Sequence, residues 1–407
     1  MVSALTWIDR DAQARERTLR ILAHFQEKES RDELGIGAVR DSLADRLFPG
    51  TSTIQTRLRY MLFVPWIYRS LEARKIPAAQ FAKEADKAER ALVARLKLAD
   101  DHKGMFGKTA GAGLKRLPSS VYWAGLGAWH IRLSPFSQEQ YHQRIEETYR
   151  LRGRLNDQQS QARARNDDAD NGLESVLNWH PRLPDRPAGF PDNVTFALTR
   201  DEAEFIRDRL QLACPDSLLA FLALQGGEQE SAFPWAHPDF ARFPAAHQTL
   251  LHHARLFSEV MYGAALLYNV QLAEKANREA LIDVHCTSFA DWRDSLPLVD
   301  IQNWSLNQFW TLTHRDGHTI TPQTRRFVEQ WVNHICRSPD VLQNKDARAL
   351  IENRERKLKG PRSRFASSRA REQWRGYSGT GRLAFRWHTV RGLLNDLHQG
   401  MNREDVC

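Results

Sequence analysis

The sequence has no apolar run of about 18 residues, the length a helix needs to cross a bilayer. Its longest greasy stretch, Val260–Val270, suits a core helix instead. It lacks an apolar leader: Met1–Arg20 carries Asp9, Arg10, Asp11 and Arg15, which argues against a secretory signal. Cysteine is scarce. Cys214, Cys286, Cys336 and Cys407 are widely spaced and none forms a CxxC, so neither a disulfide framework nor a zinc ribbon is expected. These absences predict a cytoplasmic protein with no membrane partner. β-Branched alternating runs are few, so strands should be a minority, with Val194–Leu198 one candidate. There is no GxSxG elbow of the common hydrolases and no 20–50-residue repeat.

What is present is ordinary globular material. The chain has 407 residues, 42% hydrophobic and 27% charged, enough to bury a core and to form two or three packed units. Helical periodicity predicts helices over Asp9–Gln26, Ile36–Leu47, Ala78–Leu98, Leu117–Ile131, Gln138–Leu155, Arg200–Leu212, Asp216–Leu224, Ala245–Ala273, Thr321–Cys336 and Asp346–Leu358. A further helix should start at Ser52, where Ser52 and Gln55 match a capping box, and Pro65 should kink or end it. Residues 156–171 are polar and almost without apolar side chains, and prolines 181, 184, 187 and 191 follow. The expected fold is mainly α and multi-helical: an N-terminal unit over 1–155, a linker over 156–192, a middle helical unit over 193–345 and a basic C-terminal module over 346–407. The last helix, Arg382–Gln399, places Leu383, Trp387, Val390, Leu394 and Leu397 on one stripe, with Arg382, Arg386 and Arg391 largely off it.

The net charge is +8, and its location matters more than its size. From Lys345 to Cys407 there are 15 Lys+Arg against 7 Asp+Glu, and the rest of the chain balances. Within Lys357–Arg391 ten bases face one acid, Glu372. A single dense block of this kind points to a polyanion. Arginine predominates, and its planar fork suits phosphate. Phe365, Trp374 and Tyr377 interleave as candidate stacking residues. The candidate nucleic-acid-binding set is Lys357, Lys359, Arg362, Arg364, Arg369, Arg371, Trp374, Arg375, Tyr377, Arg382 and Arg386. The bland alternative is a solvated basic face, or one that meets an acidic protein.

The stretch from Asp32 to Tyr60 packs acids, arginines, glycines and hydroxyls together. Arg40, Ser52, Gln55, Arg57 and Arg59 form a candidate anion site at a capped helix start. The same helix pair suits a helix-turn-helix variant. The competing view is an internal ion-pair network. The acids Asp32, Glu33, Asp41 and Asp45 are the candidates if the chain is instead a metal-dependent nuclease or another enzyme acting on DNA.

Other motifs fail on spacing. Gly107-Lys108-Thr109 lacks the P-loop glycine, since His102 stands five residues before Gly107. His314-Arg315-Asp316 lacks the kinase asparagine, with Thr321 in its place. His314 and His318 flank Asp316-Gly317, a turn signal rather than one helix face, and His247 with His252 and His253 lack a carboxylate or cysteine at ligand spacing. Glu355-Arg356-Lys357 gives half of a PD-(D/E)xK motif, but on a charged helix. Trp66, Trp304, Trp310 and Trp331 sit in apolar settings and should be core. No metal and no cofactor is expected.

Three blocks carry a resemblance. Asp32–Tyr68, Leu117-Pro118-Ser119-Ser120-Val121-Tyr122-Trp123, and Trp374–Trp387 with Gly376, Gly379 and Arg386 resemble an uncharacterised bacterial family of unknown function across nearly the whole chain. The second block departs at His130, where glycine is expected. The resemblance implies genes placed near helicases and nucleases in phage-defence regions; it carries over no activity or catalytic residues and says nothing of mechanism. The expectation is therefore a non-enzymatic nucleic-acid-binding component, DNA favoured, of an antiviral defence or DNA-processing system, with protein partners from the same operon. The alternatives are the enzyme above and a protein adaptor.

Overall fold

A computed structural model describes residues 32–99, 101, 103–107, 114, 116–164, 177–227, 229–314 and 317–403. The expected Asp9–Gln26 helix, Lys108-Thr109 and Arg315-Asp316 lie outside them. Among the described residues the α-helices are α1 (Gly37–Leu47), α2 (Tyr60–Ala73), α3 (Ala78–Leu96), α4 (Pro118–Ala128), α5 (Gln138–Ala164), α6 (Arg200–Ala213), α7 (Leu218–Gln225), α8 (Ala245–Lys275), α9 (Glu279–Ser295), α10 (Leu298–Gln302), α11 (Leu306–Thr313), α12 (Pro322–Arg337), α13 (Lys345–Lys359), α14 (Ser368–Glu372) and α15 (Trp387–Met401). The fold is mainly α. An isolated antiparallel bridge pairs the extended backbone of Arg132 and Trp179. Val194–Leu198 forms no strand, although Val194, Phe196 and Leu198 are buried in alternation.

Helix ends follow local chemistry. Thr199 and Glu202 close a capping box on α6. Thr321 caps α12, with Pro322 at its first position. Asn344 caps α13, and Gly360 ends it at φ 52°. Two expectations fail locally. Ser52 and Gln55 do pair, Gln55 Oε1 accepting from the Ser52 N–H at 3.2 Å, but they close a turn, and the helix begins only at Tyr60. That helix runs through Pro65 to Ala73, because every residue from Tyr60 to Tyr68 is buried and packing outweighs one lost hydrogen bond. The last helix starts five residues later than its stripe suggested, after Phe385 and Arg386 at positive φ.

The chain divides into two compact units. Unit 1 comprises Met1–Leu43 and Gln248–Phe385; unit 2 comprises Ala44–His247 and Arg386–Cys407. Both units are therefore discontinuous in sequence, unlike the serial arrangement expected. The start of the expected linker is helical, since α5 continues to Ala164. Its proline-rich end belongs to unit 2, where Trp179, Leu183 and Phe196 are buried.

Unit 1 has a tryptophan-rich core. Trp292 and Trp331 donate to the Glu259 and Val260 carbonyls of α8 at 2.9 and 2.7 Å. Trp304 donates to His253 Nδ1 at 2.8 Å, which commits that histidine to the core. In unit 2, α2 packs against α3 and α4, α3 against α5, and α15 against both α6 and α7. Trp387, Val390, Leu394 and Leu397 on α15 are buried, each contributing about 1.5–3 kcal/mol. Gly125 lets α4 approach the turn at Gly50, where a Cβ would collide with the Gly50 carbonyl.

Candidate functional site

In unit 1 the basic block separates into two groups. Lys359 and Arg364 both ion-pair with Glu33, and the Lys359 and Glu33 side chains are only 8% and 10% exposed. The Arg364 guanidinium also donates to Ser378 Oγ at 2.7 Å. Arg371 donates to the Arg364 carbonyl at 2.8 Å. The Arg382 Nε–H is shared between the two carboxylate oxygens of Glu259 at 2.9 and 3.0 Å, and the guanidinium lies over the Tyr262 ring. Trp374 and Phe365 are core residues at 2% exposure. Arg278 covers Trp374 at 5.5 Å from the ring centroid, so its indole face is occupied from within.

The second group is exposed. Lys357, Arg362, Arg369 and Arg375 face solvent and make no ion pair with a described residue. Tyr377 is 57% exposed, its ring edge against His285 at 5.2 Å. These five side chains come from the end of α13, the turn after it, α14 and the loop that follows.

Glu355 explains the apparent nuclease half-motif. It is fully buried and accepts from the Ser363 hydroxyl and from the Arg364 backbone N–H at 2.8 Å. Its role is to hold the turn after α13 in place. Arg354 beside it donates to the Leu34 carbonyl at 2.9 Å.

Arg386 lies in unit 2, where it ion-pairs with Asp45 and donates to the Thr51 carbonyl at 2.7 Å. The candidate anion site is built there too, apart from Arg40, which sits in unit 1 and pairs with Asp41 at 3.0 Å. Arg57 grips both oxygens of Asp396 on α15 at 3.0 and 3.1 Å, and the Leu58 N–H donates to the same carboxylate at 2.8 Å. Arg57 also pairs with Asp101 and lies 4.6 Å over Phe196. Arg59 donates to Glu202 at 2.7 Å. Tyr122 of α4 accepts from the Thr56 N–H at 2.9 Å and donates to the Arg57 carbonyl at 2.8 Å. Arg57 and Arg59 are thus each engaged by an internal carboxylate, Asp396 and Glu202, as in the internal ion-pair network. Sequence reasoning missed Asp396 because nothing in α15 marks it as a partner of residue 57.

The four candidate catalytic acids have separate partners. Asp32 accepts from the Gly37 N–H, and Glu33, Asp41 and Asp45 hold the bases named above. No three of His, Cys, Asp and Glu are grouped to hold a metal ion among the described residues. No helix there is long and apolar enough to cross a membrane. Cys214, Cys286 and Cys336 form no disulfide.

These features define a multi-helical protein of two discontinuous units whose densest basic segment is partly neutralised by its own acids. The chain belongs to a family of unknown function, DUF6361, whose model matches residues 2–153 and 165–400. Neither the curated proteins nor the solved structures give a match.

Proposed function

We propose that the protein binds nucleic acid, DNA in preference, through the exposed part of the basic segment. The observation that carries this is the set Lys357, Arg362, Arg369 and Arg375. Four cations reach solvent on one short stretch without an acidic partner among the described residues. Such cations are free to exchange counterions for phosphates. Tyr377 adds a face for a base or sugar. On this proposal the protein is a non-enzymatic component of DNA processing in phage defence, working beside protein partners. Arg364, Lys359, Arg382 and Arg386 support the fold rather than the ligand.

Fluorescence anisotropy with labelled single- and double-stranded DNA and RNA, over a salt series, tests this. Wild type should bind with a steep salt dependence. Changing Lys357, Arg362, Arg369 and Arg375 to alanine should reduce the log–log salt slope by about 3–4 and leave the fold intact. Absence of binding to every ligand at low salt overturns the proposal and directs attention to an acidic protein partner.

A further inference from the structure

In unit 2 a cleft of about 740 Å³ opens between the end of α4, the 130–135 turn, residues 177–181 and α6. Small-molecule sites run from roughly 300 to 1,000 Å³. Leu133, Pro135, Leu177 and Pro181 supply apolar wall. Arg132, Arg209, His130 and His180 supply the polar side, and none of the lining residues is acidic.

The walls are held in place by the protein itself. The His180 N–H donates to the Ile131 carbonyl at 2.8 Å, and the Leu133 N–H to the Asn178 carbonyl at 2.9 Å. Glu72 accepts from Trp179 Nε1 at 2.8 Å and from Asn178 at 3.2 Å, which fixes the residues leading into His180.

The cations in this cleft lack counter-charges. Arg132 is held by carbonyls, those of Ser134, Phe136 at 3.1 Å and Trp123 at 3.4 Å, and lies 4.9 Å over the Trp123 ring. Carbonyls orient a guanidinium but bring no net negative charge. Arg209 makes no hydrogen bond or ion pair with a described residue and rests 6.0 Å from the Phe205 ring. The Nε atoms of both arginines are buried and unpartnered, and so is the Oγ of Ser134, a residue only 6% exposed. Burial lowers the proton affinity of both guanidiniums; for Arg209 the nearby Arg182 adds to this and Asp208 opposes it. His180 Nδ1 accepts from the Arg182 N–H at 3.2 Å, which leaves Nε2 to carry the proton as a donor. Both side chains are half-buried, and two guanidiniums in one cleft with no carboxylate among its lining residues favour an anion there. His130 holds φ 53°, a conformation glycine adopts at less cost, so the fold keeps a side chain at this edge against the local preference.

We propose that the cleft binds the phosphate of a small phosphomonoester. Arg132 and Arg209 share its charge, and Ser134 and His180 donate to its oxygens. A dianion matches two guanidiniums, whereas a monocarboxylate leaves one unmatched. The apolar wall takes the body of the ester. Beyond His180 and Arg209 an adjoining groove carries Asp185, Asp201, Glu204 and Asp208. That acidic border repels a long polyanion and favours a compact ligand.

Isothermal titration calorimetry on the full chain at low ionic strength, with phenyl phosphate, inorganic phosphate and benzoate, provides the test. Phenyl phosphate should fill one saturable site per chain, inorganic phosphate should fill it more weakly, and benzoate should bind at least about tenfold more weakly than phenyl phosphate. Arg209→Gln should cost about tenfold or more in affinity, and Ser134→Ala a smaller factor in the same direction. Arg209 makes no hydrogen bond or ion pair with a described residue, so its variant separates loss of binding from loss of fold, as circular dichroism will verify. Three results overturn the proposal: no saturable phosphate binding, binding that both variants leave unchanged, or benzoate binding as tightly as phenyl phosphate.

Discussion

Two sets of arginines, one in each unit, meet opposite fates. In unit 1, Arg364 and Lys359 close on Glu33, and Arg382 closes on Glu259. In unit 2, Arg132 and Arg209 line a cleft without a carboxylate. The inner cations of the dense basic block are thus neutralised, while two arginines at positions unremarkable in sequence line a cleft without a carboxylate. Availability of a cation is decided by which acid folds against it, not by how many bases surround it in the chain.

The largest effect should come from stripping a neutralised pair of its acid. Glu33→Ala leaves Lys359 and Arg364 confronting each other and should lower stability by about 3 kcal/mol in urea unfolding. The four-alanine variant at Lys357, Arg362, Arg369 and Arg375 should cost within about 0.5 kcal/mol per site. If the two variants unfold alike, the division of the block into inner and outer cations is wrong.

A next, smaller effect concerns an acid in unit 2 with no strong cation. Glu89 of α3 is buried and accepts from the Ser119 N–H at 2.8 Å and from its hydroxyl at 2.6 Å. Burial, opposed by those bonds, raises its pKa from 4.5 to about 7. Between these values the native state holds a proton that the unfolded chain has lost. The stability Glu89 contributes is therefore complete below its unfolded value and disappears as pH rises through about 7. Glu89→Gln should gain on wild type by about 2–3 kcal/mol between pH 5 and pH 8 in paired unfolding curves. A constant difference across that range would show that Glu89 titrates normally.

The smallest effect tests the cleft's edge. His130→Gly should stabilise the protein by about 0.5–1 kcal/mol, by relieving the left-handed backbone, and should weaken phosphate binding if the side chain contributes there. A melting temperature below that of wild type would mean that the imidazole makes contacts worth more than the strain.

Helix existence was largely legible in the sequence. Periodicity located α1, α3, α6, α8, α12 and α13 within a few residues, because each buries one face. The turn at Ser52–Gln55 was misplaced because a capping box is a local pattern, and whether a helix follows depends on where residues 60–68 are buried. The anion-binding character of Arg57 and Arg59 was legible, and the anions were not: Asp396 and Glu202 lie far off in sequence and carry no pattern that pairs them. The phosphate cleft was invisible for the same reason, its lining being gathered from residues 124–135, 177–181 and 209. Only His130, standing where glycine was expected, gave a hint.

The clasp between Arg57 and Asp396 sets an order of assembly during synthesis. The turn that positions α2 receives its carboxylate, and α6 and α7 receive the apolar face of α15, only after the whole Gln248–Phe385 segment has been made. At typical elongation rates that is a wait of roughly 10–30 s, during which a nascent chain carries an open seam. Unit 1, whose second segment precedes α15, can mature first. Such a chain should depend on chaperones early, and nonsense truncation before Trp387 should send it to proteolysis rather than yield a shortened working protein.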